Sequence, residues 1–143
     1  MKLIVFSLTI YHLDVIIQGM LRVFLLLFFL LINCPTYAGV YEDAIKKHEH
    51  VFLYLYTDEC GYCNKFNPVY EKLLSKYNGK IGFVKVNTRT PYGAYLGYSF
   101  RVRYVPYVVI TDSKTRNSTQ ISTNCILNYK CAENAVRAIA KIK

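Results

Sequence analysis

A chain of 143 residues is long enough for one domain and too short for two comfortable ones. Its composition, 53% hydrophobic and 19% charged, is ordinary for a globular protein apart from one apolar block near the start. The formal charge of +9 invites nucleic acid, an anionic membrane or acidic partners, but the longest purely basic run is Lys46-Lys47. The cations read as a general bias spread over solvated faces, and no nucleic-acid partner is expected.

Two apolar stretches open the chain: Leu3–Ile17, interrupted by His12 and Asp14, and the unbroken Val23–Ile32. From Met20 the order is a short basic start with Arg22, the apolar run, and Ala38 before Gly39, with Thr36 two residues ahead of Ala38. This is the layout of an export signal over residues 1–38, with 1–19 an upstream extension if Met20 is the true start. The run falls short of the roughly 20 apolar residues that span a bilayer as a helix. Cleavage is therefore favoured over the alternative, a retained membrane anchor. Asn33-Cys34 fits a lipid-attachment site poorly. Cleavage after Ala38 removes Cys34 and leaves a domain over 39–143 with 16 Lys and Arg against 8 Asp and Glu, a charge of +8. Cys60, Cys63, Cys125 and Cys131 remain, an even number suited to an oxidising compartment.

From Gly39 the pattern alternates between helix and strand. Val40–Lys47, with Tyr41, Ala44 and Ile45 on one side, reads as an entry helix; His48 and His50 follow as solvated loop residues. Val51–Tyr56 is a continuous β-prone run, the mark of a strand buried on both faces. After Thr57-Asp58-Glu59 and the pair Cys60 and Cys63 comes the clearest helix, where Phe66, Val69, Tyr70, Leu73, Leu74 and Tyr77 recur at helical spacing. Pro68 lies inside it and should bend it; Asn78-Gly79 stops it. Ile81–Asn87 is the next strand. Tyr92–Phe100 is a second helix with Pro91 near its first turn, weakened by Gly93 and Gly97. Tyr107–Thr111 is a strand after Pro106, Asp112-Ser113-Lys114 a turn, and Thr119–Ser122 an edge strand. Ala132, Ala135, Val136, Ile139 and Ile142 mark an amphipathic C-terminal helix. The order predicts an α/β domain of three layers, α/β/α, whose central mixed sheet joins a parallel β-α-β core to an antiparallel hairpin.

The pair Cys60-Gly61-Tyr62-Cys63 carries the chemistry. Thiol–disulfide exchange needs a nucleophilic thiolate and a second thiol that attacks the mixed disulfide. Two intervening residues suit this where a helix begins, because both sulfurs then share one face and the first meets unpaired N–H groups. Cys60 is thereby the attacking nucleophile and Cys63 the resolving thiol. Two other readings compete. Half of a zinc site needs four ligands in paired spacing; the other candidates are His48, His50, Cys125 and Cys131, and the last two stand apart in a separate segment with five residues between them. A purely structural disulfide across so tight a turn gains little loop entropy.

The run Tyr-Thr-Asp-Glu-Cys-Gly-Tyr-Cys-Asn-Lys-Phe over 56–66 resembles a thioredoxin-superfamily active site, and is most similar to the periplasmic disulfide isomerases of the bacterial Dsb group. Pro68 matches the family's helix-kinking proline. Arg103-Tyr104-Val105-Pro106-Tyr107 resembles its cis-proline loop, and a proline heading a β run belongs at a strand start or edge. The resemblance spans Tyr41 to Ile142. It implies a thioredoxin fold, a cis Pro106 opposite the dithiol, and protein substrates held by the Val105 backbone, with no cofactor and no metal. Two departures stand out. Tyr54 occupies the place of a buried acid that helps the resolving cysteine lose its proton, and Glu59 replaces a tryptophan. Asp58 and Glu59 oppose a thiolate at Cys60, while the helix end and Lys65 favour it.

Cys125 and Cys131 read as a structural disulfide before the last helix, with a secondary redox pair as the alternative. Tyr62, Tyr104 and Tyr107 are expected to form an apolar rim for substrate. The leading function is an exported, periplasmic thiol–disulfide oxidoreductase, or one anchored in the membrane and facing the periplasm. A membrane redox partner would be required for reduction. Isomerase activity is less favoured, because only about a dozen residues would precede the first buried strand, and the isomerases' helical insertion is missing. The competing class is a binding or assembly module of the cell envelope with little turnover.

Overall fold

The computed structural model describes residues 18–24 and 39–141. Residues 18–24 are helical and exposed. The remainder of the signal or anchor assigned to 1–38 lies outside the described residues, as does Ile142. Among the described residues no helix is long and apolar enough to cross a membrane.

Residues 39–141 run α1 (Val40–Lys47), β1 (His50–Tyr56), α2 (Gly61–Tyr77), β2 (Gly82–Asn87), α3 (Pro91–Ser99), β3 (Tyr107–Asp112), β4 (Ser118–Ile121), α4 (Thr123–Ile126) and α5 (Tyr129–Ile139). The sheet order is β2-β1-β3-β4. β1 is parallel to β2 and antiparallel to β3, and β3 is antiparallel to β4. This is the mixed sheet that the sequence order implies.

The continuous apolar run of β1 is explained by burial on both faces. Phe52 and Tyr54 enter one core with Phe66, Tyr70 and Leu73 of α2 and with Ile126, Ala132 and Val136 of α4 and α5. Val51, Leu53 and Leu55 enter the opposite core with Tyr41 and Ile45 of α1 and Leu96 of α3. Alternation along a strand sends successive side chains to opposite faces, so one strand nucleates both halves of an α/β/α sandwich.

Two glycines are fixed by geometry. Gly79, with φ of 83°, turns the chain after α2 in a left-handed conformation that costs other residues more. Gly93 keeps α3 against the chain leaving β2, since a Cβ there would stand 1.9 Å from the Asn87 carbonyl oxygen. A residue that lowers helix propensity is thus required by close packing.

One expectation is overturned, and one element was not anticipated. His50 is not a solvated loop residue: it opens β1, is buried, and places Nε2 3.7 Å from Asp112 Oδ2 on the paired strand. The single-turn helix α4, capped by Ser122, has only four residues, too few for an apolar period to reveal.

α2 and α5 are clamped at their surface. Glu133 of α5 pairs with Lys76 and accepts a hydrogen bond from the Tyr77 hydroxyl at 3.1 Å. The Lys76 hydrogen bond, aided by that of Tyr77, holds the Glu133 carboxyl below its ordinary 4.5. A carboxyl depressed by folding stabilises above its unfolded value and loses that contribution as pH falls through its folded value. Glu133→Gln therefore lowers the melting temperature at neutral pH, and the gap from wild type closes as the pH drops below 4.5. Thermal unfolding by circular dichroism across that range checks this; a gap independent of pH contradicts it.

Candidate active site

The sheet register brings two chain crossings together. β1 ends where β3 begins, with Leu55 opposite Tyr107. The chain leaving β1 passes through Thr57–Glu59 into α2, and the chain entering β3 passes through Val105 and Pro106, whose peptide bond is cis. As a result Cys60 Sγ lies 3.6 Å from the Val105 carbonyl oxygen, although 45 residues separate them.

Cys60 and Cys63 are joined as a disulfide with Cα atoms 5.1 Å apart. Cys60 is the N-cap of α2, in extended conformation, and its sulfur accepts the Cys63 N–H at 3.0 Å. In the dithiol form that N–H and the helix dipole favour a thiolate at the same position. The two sulfurs differ in access, for Cys60 is half-buried and Cys63 is 1% exposed. Only Cys60 is open to an incoming sulfur.

The acidic residues before the pair have partners. Asp58 accepts a hydrogen bond from Asn87 Nδ2 at 2.7 Å, and Glu59 pairs with Arg89. Both partners come from the end of β2 and the turn after it, beside the end of β1. Lys65 stands 5.4 Å from the centre of the Tyr62 ring. The anions counted against a Cys60 thiolate are thus locally offset, though exposed pairs of this kind are worth little each.

Beneath Cys63 lies a polar cluster in place of a carboxyl. The Tyr54 hydroxyl stands 3.3 Å from both the Cys63 carbonyl and Asn67 Oδ1, with one proton to share between them. Lys85, opposite Tyr54 on β2, donates to Asn67 Oδ1 at 3.0 Å, and its ammonium sits over the rings of Tyr54, Tyr56 and Tyr70. Burial, reinforced by the neighbouring Tyr56 and Tyr70, raises the Tyr54 hydroxyl well above the ordinary tyrosine range. Burial likewise pushes Tyr70 up to about 12. Tyr54 is therefore a permanent donor and no base.

Tyr62 and Tyr104 are exposed beside the disulfide and Val105. Tyr107 does not join them. Strand alternation turns it to the opposite face, where it packs on Phe100 and burial raises its hydroxyl. Pro106 is buried and Val105 half-buried. Cys125 and Cys131 form a second disulfide that ties α4 to the first turn of α5, where Asn128 caps the helix through Cys131 N–H. Sequence reasoning missed Asn67, Lys85 and Arg89. A lysine between Val84 and Val86 was the available signal, since its place in a strand paired with Tyr54 demands a local partner.

Fold and site together define a thioredoxin-fold protein with a disulfide-forming Cys-x-x-Cys pair. Residues 34–126 match the thioredoxin family, described as Thioredoxin, and the chain belongs to it. It is 32% identical to a protein disulfide-isomerase of Triticum aestivum over 84 residues, covering 57% of this chain and 16% of the relative. A protein disulfide-isomerase of Medicago sativa is 28% identical over 80 residues, 54% of this chain and 16% of its own length. The chain thus spans about a sixth of the curated relatives it matches. Oxidised thioredoxin from Plasmodium falciparum superposes with a TM-score of 0.57 at 18% identity, covering 70% of this chain and 89% of that one. The first thioredoxin domain of mouse protein disulfide-isomerase A4 gives 0.56 at 21% identity, covering 72% and 71%. At these identities the structural likeness carries the fold.

Tyr54→Phe removes the hydroxyl but keeps the ring, and Asn67 retains Lys85. The expected loss is about 1 kcal/mol of stability, the usual worth of one internal hydrogen bond, with the Cys60–Cys63 bond still formed. Urea unfolding of the oxidised protein measures it, and an unchanged midpoint would count against a structural role for the hydroxyl.

Proposed function

We propose that this protein is a thiol–disulfide oxidoreductase that acts on proteins outside the cytosol. The observation that carries the reading is the asymmetric disulfide: an accessible Cys60 capping α2, bonded to a buried Cys63. In the reducing direction the Cys60 thiolate attacks a substrate disulfide, forms a mixed disulfide and expels one substrate thiolate. Cys63 loses its proton and attacks Cys60 Sγ, expelling the second substrate thiolate. The substrate gains two electrons and the protein is left as the Cys60–Cys63 disulfide. The oxidising direction runs the same steps in reverse.

The Val105 carbonyl beside Cys60 suits an extended substrate backbone passing over the sulfur. Tyr62 and Tyr104 flank that path, giving apolar contact to an unfolded segment. With Tyr54 held protonated, the proton of the buried Cys63 must leave by another route, through water or Glu59. The export-signal layout of 1–38 and its Cys-Gly-Tyr-Cys likeness to periplasmic isomerases support a periplasmic location, soluble or anchored. Four cysteines in two disulfides agree with an oxidising compartment. Continued reduction there needs a membrane redox partner as electron source.

Cys60→Ser should reduce both insulin reduction and oxidation of a reduced peptide to the uncatalysed background. Cys63→Ser should retain the first attack and accumulate mixed disulfides, whose trapped proteins identify the substrates. If Cys60→Ser keeps full activity, the exchange reading fails. A protein that traps partners but shows no turnover as wild type would instead be an assembly module. Fractionation with N-terminal sequencing checks location, with Gly39 expected as the first residue of an exported form.

A further inference from the structure

We infer that the surface formed by the end of α3 and the chain leading to Val105 binds an acidic segment of the protein substrate, next to the cysteine undergoing exchange. This rests on the reading of Cys60 and Cys63 as an exchange site. Charge points to it first. Residues 72–111 contain seven Lys and Arg and no Asp or Glu. Within that stretch Lys76 and Arg89 are paired with carboxylates, and Lys72 and Lys85 lie over aromatic rings. Arg101 and Arg103, like Lys80 ahead of β2, are exposed and, among the described residues, have no carboxylate partner.

Nor is the Arg101 side chain used to close the helix. The last carbonyls of α3 already take backbone donors, Leu96 from Phe100 at 2.9 Å, Gly97 from Val102 at 2.8 Å and Tyr98 from Arg101 at 3.0 Å. Both guanidiniums are therefore available to an external carboxylate, which they fit as planar forks.

Shape supplies the second argument. Arg101 and Arg103 border an open cleft of about 910 Å³ that Ala94, Tyr95, Gly97 and Tyr98 also line. A Cβ added at Gly97 would meet nothing within 4 Å, so the cleft is open at that point. Tyr98 is 87% exposed. Tyrosine and arginine around small residues form the composition found at the centres of protein interfaces.

Position completes the case. Arg103 precedes Val105 by two residues, at most about 7 Å along the chain, and the Val105 carbonyl lies 3.6 Å from Cys60 Sγ. A substrate cysteine reacting at Cys60 delivers its flanking residues to the arginines. Carboxylates there meet two unpaired cations, whereas lysines are repelled.

The test uses the full chain and short labelled peptides with one central residue, serine for binding and cysteine for turnover. One peptide is flanked by Glu, Asp and an aromatic residue, and its counterpart carries Gln and Asn instead. By fluorescence anisotropy at low salt the acidic serine peptide should bind about tenfold more tightly, and the ratio should shrink with added salt. In an R101Q/R103Q variant the two peptides should come within about twofold of each other. Equal binding by the wild type, or a preference untouched by the double substitution, overturns the inference. Arginine-dependent capture of phosphatidylglycerol vesicles without peptide discrimination also overturns it, in favour of a lipid surface. Turnover separates the two levels. Equal kcat/KM for acidic and neutral cysteine peptides removes the acidic preference and leaves the exchange reading intact. An acidic binding preference without any turnover overturns the exchange reading and leaves the acidic site standing.

Discussion

The double burial of β1 is the constraint on which the rest of the domain depends. Each residue from Val51 to Leu55 is covered on its own face, and both neighbouring strands take their register from it. Because β2 runs with it and β3 against it, its carboxyl end meets the start of β3. The fold therefore delivers Cys60 and Val105 to one place through backbone pairing alone. Substitutions that loosen Phe52 or Leu53 would misplace the site without touching it.

At that end, the functional difference between two chemically identical side chains comes from the helix. The N-cap position gives Cys60 a donor and access, while one turn of helix carries Cys63 into the core with Tyr54 and Phe66. The usual dependence of a buried thiol on a nearby acid is replaced here by a neutral hydroxyl and a cation held over aromatic rings. Lys85 and the Tyr54 hydroxyl both meet Asn67 Oδ1, and that hydroxyl also lies beside the Cys63 backbone carbonyl. With its hydroxyl held protonated, Tyr54 offers Cys63 a backbone hydrogen bond and no base.

Much of this was legible in the sequence, for identifiable reasons. An unbroken apolar run marked β1, and the helical period after Cys63 marked the body of α2 and its end at Tyr77. The likeness of Arg103–Tyr107 to a known loop located Val105 and Pro106, which no periodicity could do. What escaped was decided by register or by brevity. Tyr107 adjoins Pro106 in sequence but alternation sends it to the far face, and His50 becomes interior only because it pairs with Asp112. The partners of Tyr54 and Glu59 lie 13 and 30 residues away, on elements whose alignment depends on the finished sheet.

Lys85 has a second consequence. Among the described residues β2 lies at the border of the sheet, where unpaired amides and carbonyls invite another chain to add a strand. Its apolar neighbours Val84 and Val86 would make such pairing adhesive. A cation turned inward from this strand penalises a stacked partner, because an added layer would have to bury it away from Asn67. Lys85, already tied to Asn67 beside Tyr54, thus makes this edge of the sheet a poor template for a further strand.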